Sequence, residues 1–344
     1  MKKQLKRKAF VLIASAIVLV FALGYGVFYH YYSMMNFQAD DDSLLSSYEN
    51  ETDEGLTDSD GNIISDMENS VEDNKNSAEQ LHSPNVYNVL FIGTDSRGSD
   101  RGRSDAMILI SINSKTKKIV LSSFLRDIYL YIPSVGNNRL NAAYAYGGPS
   151  LLMKTLNQNF GVSVGSYVQT DFFSFIKIID ALGGVTVNVT ADEIKHINKN
   201  LVEINKLQGQ PTDKYKLSKS QSGSIKLNGS QALAYARIRY IGTDFGRTER
   251  QRKVLSALMT SFKSASVRQL TSLLSSVLPL VKTDLKQSDI LKLISNSGAY
   301  AKYSITSQSI PANGTYSFVT INKMSVISIN FEKNRKLLKD TIYD

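Results

Sequence analysis

Twenty-one consecutive residues, Ala9 to Tyr29, carry no charge. As a helix they would extend roughly 31 Å, the hydrocarbon thickness of a bilayer. Five cations (Lys2, Lys3, Lys6, Arg7 and Lys8) precede the stretch and acids follow it. The positive-inside rule then places residues 1–8 in the cytoplasm and everything after the span outside. The run is longer than the roughly 7–15 apolar residues of a cleaved signal peptide, and no A-x-A site follows it. The expectation is one uncleaved signal-anchor helix over residues 9–31, with Tyr29, Tyr31 and Tyr32 at the far headgroup belt.

Charge divides the remainder. Residues 40–80 hold fourteen acids against one base, Lys75, and few large apolar side chains. Such a segment buries too little surface to offset its ordering entropy, so 32–80 reads as an acidic disordered linker. Residues 81–344 hold 34 Lys and Arg against 17 Asp and Glu, a net charge of +17. With no Cys, disulfides, thiolate metal sites and Cys nucleophiles are excluded together. The three His (His30, His82 and His196) are scattered, which argues against a Ser-His-Asp triad or a multi-His metal centre. A surface this basic suits a polyanion, but no nucleic-acid partner is expected. The topology puts the domain outside the cell, and no helix-turn-helix or RNP pattern occurs.

The third block alternates strands and helices. Strand runs are Val86–Ile92, Ala106–Ile112, Lys118–Phe124, Tyr167–Thr170, Val185–Val189, Ser304–Ile310 and Thr320–Ile329. Helical stretches are Ser150–Asn157, a helix capped by Asp171 and running to Leu182, Asn228–Ala236, Arg247–Phe262, Val267–Leu278 and Gln287–Ala301. Residues 205–226 read as a polar surface loop. The pattern predicts a three-layer α/β/α domain over 81–344 with a central mixed sheet, preceded by the one transmembrane helix.

Loops at the carboxyl ends of strands line ligand sites in open α/β sheets. The loop after the first strand holds Asp95, Arg97, Asp100, Arg101, Arg103 and Asp105 among small residues. Asp95 leaves one strand and Asp105 enters the next, a placement that can put two carboxylates on one hard cation such as Mg²⁺. Mutually neutralising solvated charges are the competing account. Further arginines punctuate the chain: Arg126 beside Asp127, Arg139, Arg237 and Arg239 two apart, and Arg247 and Arg250 on one helix face with Gln251. Arg is the forked donor suited to bidentate phosphate contact, and a helix N-terminus reinforces it. The apolar helix Phe172–Ile179 and the stripe Val267, Leu270, Leu273, Leu274, Val277 and Leu278 supply either ordinary core or the lining of a lipid tunnel.

The run from Asn88 to Arg97, followed by Arg103-Ser104-Asp105-Ala106-Met107, resembles the opening motif of the LytR-CpsA-Psr family. Ser123-Phe124-Leu125-Arg126-Asp127, Arg139 through Gly148, and Asp180-Ala181-Leu182-Gly183-Gly184-Val185 are similar to its later motifs. So are Gln231 through Arg239 and Asp244 through Arg252. Phe124-Leu125 stands where the family often has Ile-Pro, and Arg139 where it often has Lys; neither change removes a charge.

The resemblance implies an envelope ligase. It would move a teichoic acid, capsular polysaccharide or similar anionic glycopolymer from an undecaprenyl-diphosphate carrier to peptidoglycan, by phosphotransfer outside the cell membrane. It implies Mg²⁺ (or Mn²⁺) near Asp95 and Asp105. It also implies that Arg103, Arg126, Arg237, Arg239, Arg247 and Arg250 surround the diphosphate, with Arg139 and Gln251 as weaker members. Asp95, Asp105, Arg103 and Arg126 would carry the chemistry, because charge builds on phosphoryl oxygens and fixed guanidinium groups with a metal stabilise it. With no His at hand, Asp105 or Asp95 is the base for the acceptor hydroxyl, a role that competes with metal binding. A non-catalytic receptor for wall polymer and a polyprenyl-diphosphate hydrolase are the alternatives.

Overall fold

The computed structural model describes residues 61–77, 79–94, 104–238, 244–263, 281–321 and 324–344, together with Tyr29, Ser33, Met34, Asn36 and Phe37. The expected anchor over 9–31 lies outside the described residues apart from Tyr29. So do Asp95, Arg103, Arg239 and the apolar stripe from Val267 to Leu278. Among the described residues no helix is long and apolar enough to cross a membrane.

Seven strands form the central sheet: β1 (Asn36–Phe37), β2 (Val86–Thr94), β3 (Ser104–Asn113), β4 (Lys118–Phe124), β7 (Tyr167–Asp171), β10 (Lys282–Thr283) and β11 (Ser304–Ile310). Their order is β1-β10-β7-β2-β3-β4-β11. Three pairings are antiparallel (β2–β3, β3–β4 and β10–β7) and three are parallel (β2–β7, β4–β11 and β1–β10), so the sheet is mixed as expected. The central strands read as near-continuous apolar runs because both faces are covered. Alternation sorts their side chains: Leu90, Ile92, Met107, Leu109 and Val120 join one core, whereas Phe91, Ile108, Ile119 and Leu121 face the other way.

The first face is closed by α1 (Gly61–Ser77), α2 (Leu140–Phe160), α9 (Phe331–Leu338) and the hairpin β12 (Tyr316–Ile321) with β13 (Met324–Ile329). Two small elements between β4 and α2, β5 (Tyr129–Ile132) and β6 (Gly136–Arg139), pair as a second hairpin. The opposite face carries α6 (Asp244–Lys263) and a helical unit of α3 (Phe172–Ala181), α4 (Ala191–Leu207) and α5 (Gly229–Ala236), with the pair β8 (Val185–Val189) and β9 (Gly223–Leu227). Beyond β10 lie α7 (Gln287–Ser295) and α8 (Ser297–Tyr300).

Local chemistry fixes the element ends. The Asp171 carboxylate accepts the Ser174 N–H at 2.8 Å and starts α3, as the sequence predicts. Capping boxes at Thr190/Glu193 and Asn228/Gln231 start α4 and α5. Gly184 turns into β8 at φ 101°, where a Cβ would stand 2.7 Å from the Leu227 carbonyl oxygen, so only glycine fits.

Several expectations need correction. The acidic linker does not run to residue 80, because 61–77 is helical. Met67 and Val71, 4% and 1% exposed, enter the main core at i and i+4. The Asn74 amide donates to the Asn159 carbonyl at 3.2 Å, and Arg335 donates back to Asn74. Averaged composition hides a stripe that narrow. The helix expected over Ser150–Asn157 is present as the second of two helical segments within Leu140–Phe160; the non-helical Gly147 and Gly148 (φ 62°, ψ −155°) separate it from a first segment not expected from the sequence. The polar loop shrinks to 208–222 because α4 runs to Leu207 and β9 starts at Gly223. The single strand expected over 320–329 is the β12–β13 hairpin.

Candidate active site

Asp105 organises the site. Gly93 pairs with Ala106 and Thr94 with Ser104, so the register between β2 and β3 slips at Gly93/Thr94 and leaves Asp105 in a bulge. Bulges free a residue from the ladder and re-aim its side chain. Gly93 allows the close approach, since a Cβ there would lie 3.1 Å from that of Ala106.

Two arginines from distant elements meet this carboxylate. Arg126 leaves the end of β4 and donates from Nη1 to Asp105 Oδ1 at 3.0 Å. Arg247, in the first turn of α6 and only 4% exposed, lies 3.0 Å through Nη2 from Asp105 Oδ2 and donates to the Asp105 carbonyl at 3.1 Å. The chain of charges continues. Arg126 Nε donates to Asp127 Oδ2 at 3.2 Å, and Arg139 Nη1 donates to Asp127 Oδ1 at 3.0 Å. Backbone bonds hold the 125–128 segment: the N–H of Asn141 reaches the Arg126 carbonyl, and the N–H of Ile327 reaches that of Asp127. Arg247, Asp105, Arg126, Asp127 and Arg139 thus form one alternating ladder with an excess positive charge.

Burial alone would raise the Asp105 carboxyl, but the Arg247 and Arg126 guanidinium groups outweigh it and hold the group below its ordinary value of 3.8. Asp105 is therefore a firmly ionised anion and a weak proton acceptor.

Beside the ladder lies a narrow pocket of about 70 Å³. Its walls are the seam between two apolar clusters. Phe91 and Ile108 come from the sheet and Leu255 from α6 above it; Phe172, Phe175 and Leu233 come from the helical unit. Asp105, Arg237, Arg247 and Gln251 line the same pocket. Arg237 caps α5, stacks 4.9 Å from the Phe172 ring and donates to Glu203 at 3.3 Å. Its Nη1 is buried and meets no acceptor among the described residues. A buried donor without an acceptor, next to an apolar slot, suits an anionic ligand with an apolar tail.

The structure therefore brings together Asp105, Arg126, Arg139, Arg237, Arg247 and Gln251 of the expected residues. Arg250 is set apart. It donates to the Ile238 carbonyl at 3.0 Å and lies 3.7 Å from Glu193, bracing the helical unit instead of turning to the ladder. Helix α3 supplies core through Ile176 and Ile179, and its Phe172 and Phe175 line the pocket.

The family model described as the LytR_cpsA_psr family matches residues 58–340. The chain belongs to the LytR-CpsA-Psr family. It is 32% identical over 259 residues to Regulatory protein MsrR of Staphylococcus aureus, covering 73% of each chain. It is 34% identical over 252 residues to the polyisoprenyl-teichoic acid–peptidoglycan teichoic acid transferase TagU of Oceanobacillus iheyensis, covering 70% of this chain and 72% of that one. Among solved structures it resembles YwtF (TagT) of Bacillus subtilis with bound octaprenyl pyrophosphate lipid. The match has a TM-score of 0.57 and 26% identity, over 78% of this chain and 95% of that one.

Within this LytR-CpsA-Psr domain two site features escaped the sequence. Asp127 links Arg126 to Arg139; its adjacency to Arg126 was the available signal, and the second partner, twelve residues on, was not visible. Asp171, read only as a helix cap, also lines the pocket.

Proposed function

We propose that this protein transfers an anionic glycopolymer, such as a teichoic acid or capsular polysaccharide, from a polyprenyl-diphosphate carrier to peptidoglycan. The reaction takes place outside the membrane, to which residues 9–31 anchor the chain with its N-terminus in the cytoplasm. One observation carries the reading. The apolar seam pocket and the Arg/Asp ladder share walls, so one ligand can place the head end of its prenyl tail in the slot and its diphosphate among Arg247, Arg126 and Arg237. The name of TagU and the lipid bound in the YwtF (TagT) structure support it.

In the reaction the acceptor hydroxyl oxygen forms a bond to the phosphorus that bears the polymer. The bond from that phosphorus to the bridging oxygen breaks, the lipid monophosphate leaves with the electron pair, and the hydroxyl proton passes to the departing phosphate. Arg126 and Arg247 stand fixed where negative charge grows, so little reorganisation is needed as it develops. Asp105 sets their geometry; its lowered pKa disfavours it as the base. Asp105 and Asp95 are proposed to hold Mg²⁺ (or Mn²⁺). Asp105 is a hard oxygen donor, and each of its oxygens keeps a second lone pair beside the arginine it accepts from. When bound, the ion neutralises charge on the diphosphate oxygens.

Incubating the full-length protein with a lipid-linked glycan and peptidoglycan fragments tests the proposal. Polymer attached to the fragment is the expected result. Free polymer would make the protein a hydrolase, and bound but unchanged substrate would make it a receptor.

A further inference from the structure

A second cavity, about 560 Å³, opens on the far side of α3 between the end of α4, the 208–222 loop and the start of α5. Helix α3 separates the two cavities: Phe172 and Phe175 line the seam pocket, and Phe173, Ile176 and Lys177 line this one. Only about 10 Å, the width of one helix, divides them.

The walls are unusual for plain surface. Phe173 and Tyr215 are 39% and 42% exposed. Tyr215 is held at φ 66°, a left-handed backbone that a bulky side chain rarely adopts. Side chains from the helices impose it. The fully buried Asn205 donates to the Lys214 carbonyl at 2.8 Å, and Gln231 donates to the Tyr215 carbonyl at 2.8 Å. Asn198 pins Leu217 through both its N–H and its carbonyl. Strain of this kind persists only where the surroundings over-determine it, and it clusters at ligand sites.

The wall carries donors and one carboxylate, Asp180, whose Oδ1 is taken by the Gly229 N–H at 2.7 Å. Gln208 accepts from Ser230 and Gln210 accepts from Lys214, each through its carbonyl oxygen, so their amide N–H groups are not used in these bonds. Lys177 and Lys214 add two ammonium groups, and Lys214 lies 4.8 Å from the Tyr215 ring centroid. Aromatic faces stack on the apolar face of a sugar ring; a donor-rich wall suits acetamido carbonyls and acids. A bilayer would favour a flat apolar face, whereas these rings flank a donor-lined cavity.

We infer that this cavity binds an acid-bearing, N-acetylated amino-sugar chain and positions it for the reaction in the seam pocket. The inference rests on the transferase reading above. Two sources carry that chemistry, the peptidoglycan acceptor and the polymer being transferred.

The chain contains no Trp, so Tyr215→Trp in the full-length protein supplies one indole reporter at the cavity. Titration with soluble peptidoglycan fragments in one arm, and with a phosphate-linked amino-sugar oligomer in the other, should give a saturable fluorescence change in one arm, which names the source. Silence in both arms, or quenching by brominated phospholipid vesicles alone, overturns the inference. A second variant, Tyr215→Gly, removes the ring at a position whose backbone glycine prefers, so the melting temperature should hold or rise. The KM for the responding glycan should then increase about tenfold with kcat unchanged, and an unchanged KM overturns the site. The two readings fail separately. A silent reporter on an enzyme that still transfers polymer removes only this cavity. A responsive reporter on an enzyme that only releases free polymer removes the ligase reading and leaves the binding site.

Discussion

The two faces of the central sheet are packed to different ends. On one, α1, α2, α9 and the β12–β13 hairpin merge into a single continuous core, with Leu90, Leu109, Leu152 and Phe160 fully buried. On the other, the apolar side chains fall into two clusters, one under α6 and one inside the helical unit, and the slot between them stays open. Both faces have enough apolar residues to close. The second stays open where Asp105, Arg237 and Arg247 reach the seam, and there the buried Arg237 Nη1 meets no acceptor among the described residues, a donor that is costly to seal in. The closed face is continuous core, and the Arg/Asp ladder borders the incomplete one.

Substitutions can break that division. The largest effects are expected on activity: Asp95→Ala should abolish transfer, and Arg126→Ala at the open face should lower it by about 10²–10³-fold. Circular dichroism should show both variants folded. Full transfer by either would remove it from the machinery. On the closed face, Leu152→Ala should destabilise by about 3 kcal/mol in urea denaturation while KM for the lipid carrier stays fixed. A shifted KM there would mean that the two faces are coupled through the sheet. Adding volume at the seam gives the converse. Ala236→Leu fills space beside Leu233, so long-chain carriers should bind about tenfold more weakly while the melting temperature holds.

The same contrast explains what the sequence shows. Strands β2, β3 and β4 are legible because they carry apolar runs between turn residues, and Asp171 is legible as a cap because capping is local. Helix α1 is not, because Met67 and Val71 are two apolar positions in an acidic segment, and only the tertiary core gives them meaning. In the site, residue types were legible and partnerships were not. Arg247 and Arg250 share a sequence motif and a helix, yet one turns to Asp105 and the other to Glu193, which lies 57 positions earlier in the chain. The bulge that frees Asp105 depends on pairing between two strands, which no single segment encodes.

The smallest expected effect separates the faces by pH. Asp105 is held below its ordinary value of 3.8: burial pushes it up, and Arg247 and Arg126 more than reverse this. In the unfolded chain those arginines are distant, so the unfolded state binds its proton more tightly. A depressed folded pKa contributes stability that is fully present above the unfolded value and is lost as pH falls through the folded one. The stability gap between wild type and Asp105→Asn should therefore be flat from about pH 7 to 5 and narrow below about pH 4. Leu152→Ala serves as the control, since deleting methyl groups from an apolar core moves no proton and its penalty should not change over the same range. Urea denaturation of the three proteins at matched ionic strength measures both gaps. A constant gap for Asp105→Asn would show that the two guanidinium groups do not set the charge of this carboxylate, and the open face would lose the electrostatic distinction that separates it from the closed one.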